Sequence, residues 1–425
     1  MALALGILPV ALLLLGFPIF LVLLAAAVTA LAGFMDMPLA ALHQNLFGAI
    51  DAYTLLAVPF FIFAGELMGR GSVAGRLVGF VQAAVGPVRG SLALTTVGSS
   101  ALFGAISGVS AATVATIGRA MLPALRRAGY PETFSAGMLT AVGAIDIVIP
   151  PSVAMIVYGV AAQQSVPRLY AAGILPGLLL ALLLGAYVAW FARRHGIAGG
   201  GRFSWPALRA ATLRGLGALG APAIILGGIY GGVFSPTEAA AVACLYAIVV
   251  SRFFYRELAW RDILDAAGST AVFTGQILLI VACAAAYSWL LTVHQVPAAL
   301  AQWLGALQVA PWQLLLAINA LLLLVGCVLD PISAILLLSP LLVPIATAAG
   351  IDPVHFGIIV TVNLSIGLFT PPFGVNIFIA QSVLRLPLAQ IYRGIVPFLG
   401  VYLVALLLIT YIPSISLAGV RWLVP

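Results

Sequence analysis

Two pairs of adjacent prolines, Pro150-Pro151 and Pro371-Pro372, interrupt apolar runs, and both stand among residues that offer oxygen rather than charge. Ser152 follows the first pair, and Ser107-Gly108-Val109-Ser110, with Thr113, interrupts an earlier apolar stretch. Around the second pair stand Asn363, Gly367, Thr370, Gly374 and Asn376, with Asp330, Pro331 and Ser333 at the earlier interruption. Proline removes an amide donor and breaks a helix. At membrane depth such a break survives only where the freed backbone lines a cavity or is buried in protein. Its exposed carbonyls and amides then bind ions without charged side chains. Hydroxyl, amide and carbonyl oxygens suit a hard monovalent cation such as sodium. Ion coordination is therefore expected at two sites. The first comprises Ser107, Gly108, Ser110, Thr113, Pro150, Pro151 and Ser152; the second comprises Asp330, Pro331, Ser333, Asn363, Gly367, Thr370, Pro371, Pro372, Gly374 and Asn376. A single Ser or Thr hydroxyl serves equally well to satisfy membrane-buried backbone; the paired arrangement favours coordination for the set.

The pairing extends further along the chain. Pro123, Ala128-Gly129, Pro150-Pro151, and Gly173-Ile174 with Pro176 recur 221 residues later as Pro344, Ala349-Gly350, Pro371-Pro372, and Gly394-Ile395 with Pro397. Helix breaks in matching positions of two halves point to the midplane site of a secondary transporter.

Four acids lie near enough to these features to weigh. Asp330 precedes Pro331, so it reads as an N-cap with proline at the first helical position, as an ion ligand, or as both. Glu238 follows Ser235-Pro236-Thr237 at capping-box spacing and is structural. Asp146, four residues before Pro150 in an apolar stretch, is a functional candidate and a possible modulator of the first site by its depth alone. An exposed position in a polar cavity is its other reading. Glu66, four residues from Arg70, forms a structural ion pair on a helix.

Hydrophobic residues make up 64% of the chain and charged residues 7%, against roughly half and a quarter in soluble proteins. Runs such as Ile174–Phe191 and Ile395–Tyr411 are long enough to span a bilayer. The fold class expected is an all-α polytopic membrane protein without an appreciable soluble domain. The first segment lacks the basic region of a cleavable signal and is read as retained membrane structure. Cys244, Cys283 and Cys327 sit in apolar stretches without metal-ligand spacing, so neither a disulfide nor a cysteine metal site is expected. The net charge of +7 comes from 18 basic residues, all arginine, clustered at segment ends. That distribution reports topology rather than nucleic-acid binding.

Taking the Arg-rich loop 193–214 as cytoplasmic fixes the threading. Short helices near 215–232 and 236–251 leave and return at Arg252, Arg256 and Arg261, and a helix near 267–291 exits to a loop, 292–311, without basic residues. Arg89 and Arg119 bracket a re-entrant hairpin that enters from the cytoplasm. Its counterpart near 312–349 has no arginine flanks and enters from outside. A broken helix, 354–384, then returns to Arg385 and Arg393. Only Arg168 and Arg421 lie outside on this threading. Stretches 77–88 and 298–309 read as interfacial helices joining arms to hairpins. Each repeat then has five crossings and one re-entrant helical hairpin; an odd number of crossings makes the repeats inverted and places both termini outside. The domain reading is a scaffold arm over 1–89, hairpin and broken helix over 90–192, the cytoplasmic loop 193–214, a second arm over 215–309, and the second hairpin and broken helix over 310–425. No arginine lies at mid-membrane depth. An anionic substrate would need helix N-termini and co-bound cations for neutralisation.

Several motifs run in order along the chain: the run from Leu56-Ala57-Val58-Pro59 through Gly65-Glu66-Leu67-Met68, Phe103-Gly104-Ala105-Ile106-Ser107-Gly108, and Ile149-Pro150-Pro151-Ser152. Ser235-Pro236-Thr237-Glu238-Ala239-Ala240, Asn363-Leu364-Ser365-Ile366-Gly367 and Thr370-Pro371-Pro372-Phe373-Gly374 follow. Together they resemble the large membrane subunit (M-type, dicarboxylate-transporter M family) of the tripartite ATP-independent periplasmic (TRAP) transporters, and the match covers nearly the whole chain. The resemblance implies an elevator-type, sodium-driven importer of an organic acid such as a dicarboxylate, in the inner membrane of a bacterial or archaeal cell. It implies Na+ as coupling ion with no other cofactor. The implied partners are a small four-helix membrane subunit and a periplasmic substrate-binding protein. Two positions depart from the family pattern. Val109 stands where a small polar residue is usual, which weakens a side-chain ligand role there. Asp146 stands where glycine is common, which leaves a changed ion or proton dependence open. A stand-alone carrier or antiporter of related inverted-repeat design is the nearer alternative. An intramembrane enzyme is remote, because His-Glu-x-x-His and Gly-x-Ser-x-Gly motifs are absent and no histidine has a nearby nucleophile.

Overall fold

Apolar runs separated by Gly, Pro and arginine ends dictate helices joined by short turns, and the computed structural model describes residues 3–35, 38–197, 199, 203–306 and 309–424. Among these the only β pairing is an isolated bridge between Arg89 and Gly199. A π-helical turn, Leu3–Ile7, leads into α1 (Leu8–Leu14), and the chain reverses at Gly16-Phe17-Pro18 into α2 (Ile19–Phe34). Then come α3 (Leu39–Ile50), a 3-10 turn (Tyr53–Leu56), α4 (Ala57–Arg70) and α5 (Val73–Val85). The first hairpin is α6 (Ser91–Ser107) and α7 (Ser110–Arg127). The first broken helix is α8 (Glu132–Val142), a 3-10 turn (Gly143–Ile147) and α9 (Val153–Ala161), followed by the long α10 (Val166–Arg194).

The second half contains α11 (Trp205–Tyr230), α12 (Pro236–Ile248) with a π extension (Val249–Phe254), α13 (Trp260–Val293) and α14 (Val296–Ala306). Its hairpin is α15 (Pro311–Gly326) and α16 (Pro331–Ala348). Its broken helix is α17 (Pro353–Gly367) and α18 (Val375–Leu384), followed by α19 (Leu388–Tyr411) and α20 (Pro413–Leu423). Seven helices among the described residues are long and apolar enough to cross a membrane: α4 with its preceding turn, α10, α11, α12 with its extension, α13, α16 and α19. The chain is a multi-pass, all-helical membrane protein.

Helix starts keep the sequence offset: α7 begins at Ser110 and α16 at Pro331, α8 at Glu132 and α17 at Pro353. Packing crosses between the halves. α8 lies on α19 while α17 lies on α10, and α7 lies on α18 while α16 lies on α9. The α8–α19 crossing is backbone against backbone, since a β-carbon on Gly137 would come 2.0 Å from the Gly394 carbonyl oxygen. Small residues permit such approaches where lipid supplies no hydrophobic drive for association. Elsewhere α4 packs on α12, α2 and α3 on α13, and α5 on both α11 and α6. Arg70 ties α4 to α13: it pairs with Glu66 at 2.9 Å, as its spacing predicts, and also donates to the Asp262 carbonyl and the Ser269 hydroxyl, both at 3.3 Å.

Several boundaries differ from the sequence expectation. Much of the stretch 193–214, read as a loop, is helical: α10 continues through Arg194 and α11 already begins at Trp205. Ser204 caps α11 by accepting the Ala207 amide at 3.4 Å, with Pro206 in the first turn. α13 starts at Trp260 rather than near 267, because Asp262 accepts the Ala259 amide at 2.8 Å and closes its first turn. The two interfacial helices begin earlier than expected, at Val73 and Val296, and positions 307 and 308 of the second lie outside the described residues. Glu238 and Ser235 form the anticipated capping box, with bonds of 2.8 and 3.3 Å.

Candidate functional site

At the first tip α6 stops because Gly108 turns left-handed, with φ of +60°, and Val109 is extended before α7 resumes. Glycine is needed there twice over: the positive φ favours it, and a β-carbon would lie 2.8 Å from the Pro151 carbonyl oxygen. The buried Ser107 hydroxyl folds onto the tip, accepting the Val109 amide at 3.1 Å and donating to the Val109 carbonyl at 3.2 Å. On the opposite side α4 presents Gly65, whose β-carbon would come 2.9 Å from the Ser107 backbone. The tip is thus held between α4 and the Pro150-Pro151-Ser152 break, whose peptide Pro150-Pro151 is cis. Ser152 caps α9, accepting the Met155 amide at 3.4 Å, and its carbonyl accepts from the Tyr170 hydroxyl at 3.5 Å. Ser107, Gly108, Pro151 and Ser152 therefore gather as one cluster. Its free backbone groups, at the N-termini of α7 and α9, suit an anion or a small cation held by carbonyls.

Ser110 and Thr113, also expected at the first site, bond residues outside this cluster. Ser110 and Asn376 hydrogen-bond each other across the halves, with the Asn376 amide donating at 2.8 Å, and that amide also reaches the Thr140 carbonyl at 3.3 Å. Asn376, expected at the second site, thereby joins α18 to α7. Thr113 donates to Asp146. Asp146 is fully buried, not exposed in a polar cavity.

At the second tip Asp330 caps α16, with Pro331 in its first turn. Its carboxylate accepts the Ser333 amide at 3.0 Å and the Ser333 hydroxyl at 2.5 Å. The second break begins where α17 ends at Gly367, which lies against the end of α15: a β-carbon there would be 2.4 Å from the Gly326 backbone. Thr370 donates back to the Ile366 carbonyl at 2.7 Å, and the Gly374 amide reaches the Thr370 carbonyl at 3.2 Å. The Asn376 amide nitrogen of the backbone closes the turn onto the Leu368 carbonyl at 2.9 Å. Pro371-Pro372 is also cis, and the Pro372 carbonyl accepts from Tyr392 at 3.1 Å. No described hydrogen bond joins Asp330 or Ser333 to the segment Thr370–Asn376. Asn363 lies one helical turn before Gly367 and points its amide at Asn319, 2.6 Å away, and at the Ile359 carbonyl, 2.9 Å away; its own side-chain oxygen is buried without a partner. Asn319 in turn donates to the Thr410 hydroxyl at 3.2 Å.

Sequence reasoning missed Asn319, Thr410 and Thr140, and the glycines Gly65, Gly104 and Gly326 on which the tips pack. Asn319 carried a readable signal, a lone amide inside an apolar run. The glycines did not, because only what packs against them makes them necessary: backbone at Gly65 and Gly326, and Asp146 at Gly104.

The sequence matches the family described as tripartite ATP-independent periplasmic transporter, DctM component, over residues 6–415. It is 42% identical over 379 residues to the C4-dicarboxylate TRAP transporter large permease protein DctM of Pseudomonas aeruginosa, covering 89% of each chain. It is 40% identical over 412 residues to the ectoine/5-hydroxyectoine TRAP transporter large permease protein UehC of Ruegeria pomeroyi, covering 96% of each. The isethionate TRAP transporter permease protein DctMQ of Oleidesulfovibrio alaskensis is 39% identical over 403 residues, 95% of this chain and 64% of that one. The backbone resembles the crystal structure of the YdaH transporter of Alcanivorax borkumensis, with a TM-score of 0.65 at 18% identity over 90% of this chain and 88% of that one. That likeness concerns the fold alone.

Proposed function

The chain belongs to the DctM component family of tripartite ATP-independent periplasmic transporters, is a TRAP-type large permease and not an enzyme, and on that premise we propose that it imports a small anionic organic acid by sodium coupling. The observation that carries the reading is the pair of helix breaks, Pro150-Pro151-Ser152 and Thr370-Pro371-Pro372, each offering backbone carbonyls, amides and hydroxyls without a basic side chain. An anion at such a place needs helix N-termini and co-bound cations. Sodium at the breaks would bring the positive charge that the protein itself withholds there. The substrate class follows the relatives named for C4-dicarboxylate, and relatives named for ectoine and isethionate widen it to other small acids.

In this reading the two halves are inverted repeats, with both termini outside the inner membrane. The hairpins with their broken helices, 90–192 and 310–425, move as one elevator against the arms 1–89 and 215–309. A periplasmic binding protein delivers the substrate, and a small membrane subunit flanks the arms. The share of DctMQ that this chain leaves unmatched leaves room for such a subunit within that relative.

The test is uptake into proteoliposomes holding the chain and its small subunit, with a C4-dicarboxylate inside a sodium gradient. Uptake should require the cognate binding protein. Equal uptake without any binding protein would instead establish a stand-alone carrier. A cysteine introduced at 299 should react only from outside and one at 201 only from the cytoplasm. Labelling of 201 from outside would overturn the threading and the inverted repeats with it.

A further inference from the structure

Asp146 sits on the 3-10 turn Gly143–Ile147, just before the first proline pair, with none of its surface exposed. One carboxylate oxygen bonds the Thr113 hydroxyl, and the other, Oδ1, is buried without a partner. No cation among the described residues pairs with it. The described ion pairs are Glu66–Arg70, Arg76–Glu257 and Arg126–Glu132, all with partly or well-exposed side chains. The ionisable neighbour Tyr402 donates its hydroxyl to the Ala141 carbonyl at 2.8 Å. An ionised carboxylate in an apolar interior is strongly disfavoured unless a positive charge joins it.

The wall opposite is α6. Gly104 faces the carboxylate so closely that a β-carbon there would lie 2.5 Å from Oδ1. Ser100 stands one turn earlier, at the i, i+4 spacing that shares a helix face. Its hydroxyl is likewise buried without a partner, as is that of Ser99. Among the described residues the second half shows no such carboxylate and hydroxyl pair. At the same offset Asp146 becomes Gly367, packed against the Gly326 backbone, and Ser99-Ser100 become Ala320-Leu321. A carboxylate and hydroxyls with unmet capacity thus occur together on one side of the molecule only.

We propose that Asp146, with Ser100 on the facing helix, holds a monovalent cation of its own, sodium in the first instance. This charged site lies behind the first break and has no counterpart behind the second. The proposal rests on the reading of the chain as a sodium-coupled carrier. Asp146 is its charged ligand, Ser100 a neutral one, and Gly104 supplies the clearance that admits the carboxylate. The carboxylate favours a cation over water there, because an empty site must either hold a buried charge or take up a proton.

Thermal melting of the purified chain in nanodiscs tests this, with sodium chloride titrated against choline chloride at constant ionic strength. Wild type should be stabilised by sodium. In Asp146→Asn, which keeps the side chain's size, the sodium concentration for half the stabilisation should rise at least tenfold, and in Ser100→Ala about threefold. Uptake by Asp146→Asn should show a lower Hill coefficient for sodium than wild type. A wild-type sodium response retained unchanged in both variants overturns this inference and leaves the functional reading standing. So does an unchanged sodium response accompanied by acid stabilisation of wild type that Asp146→Asn lacks, which would make the ligand a proton. A wild-type chain indifferent to sodium overturns both.

Discussion

Pro150, Pro151 and Ser152 are buried under the first hairpin tip, whereas Pro371, Pro372 and Phe373 are exposed, with Val328 at the second tip 63% exposed. The difference comes from what each tip touches. Gly108 lies on the Pro151 carbonyl, so the first tip seals its break. The second tip starts one residue pair differently: Leu329 and Asp330 stand where the first half has Gly108 and Val109. Asp330 caps its own helix, and the described contact of this hairpin with its broken helix runs through Gly326 and Gly367. Duplicated sequence patterns therefore yield two breaks of one kind in two environments, one shut and one open.

The two close contacts offer the strongest handle on this difference. Gly367→Leu would drive a side chain into the Gly326 backbone, and overpacking of this kind costs about 3 kcal/mol. A large loss of folded protein and of uptake is expected, measured by thermal melting and transport. A wild-type melt would mean that the second hairpin does not rest on that contact. Asn376→Ala should come next. It strands Ser110 and removes the joint between the halves, at about 1–3 kcal/mol for buried polar groups left unmatched. The melting temperature should fall, and an unchanged value would deny the cross-half bond. Ser107→Ala and Thr370→Ala remove one hydroxyl at each break. If these positions belong to ion sites, each should raise the sodium concentration for half-maximal uptake by roughly five- to thirtyfold, or about 1–2 kcal/mol. If the hydroxyls only satisfy backbone, melting should drop while sodium dependence stays put. Smallest should be Asp330→Asn, since Asn is as good an N-cap as Asp and stability should change by only a few tenths of a kcal/mol. Normal sodium dependence in that variant assigns Asp330 to capping alone, and a shifted one adds an ion role.

Local chemistry was legible in the sequence. The Ser235–Glu238 capping box, the Glu66–Arg70 pair, the Asp330 cap and the glycine stop at Gly108 each depend on residues within a turn of one another. Helix breaks were legible for the same reason. What escaped was long-range. Ser110 and Asn376 are 266 residues apart, and nothing near either one announces the other. The pairing of Asp146 with Thr113 and Gly104 depends on how the hairpin folds over the 3-10 turn. The start of α11 was a different kind of miss. Ser204-Trp205-Pro206 is a helix-start signal, but the arginines on either side of it mark a cytoplasmic segment just as strongly, and charge says nothing of whether that segment is helix or loop.

The most direct measurement is the sodium dependence of binding-protein-dependent uptake in proteoliposomes, made with sodium, then with potassium or choline, and then with a proton gradient alone. Two oxygen-lined breaks working as coupling sites predict a sigmoidal sodium curve with a Hill coefficient above about one and collapse of uptake in potassium or choline. Undiminished uptake driven only by the proton gradient would contradict the account.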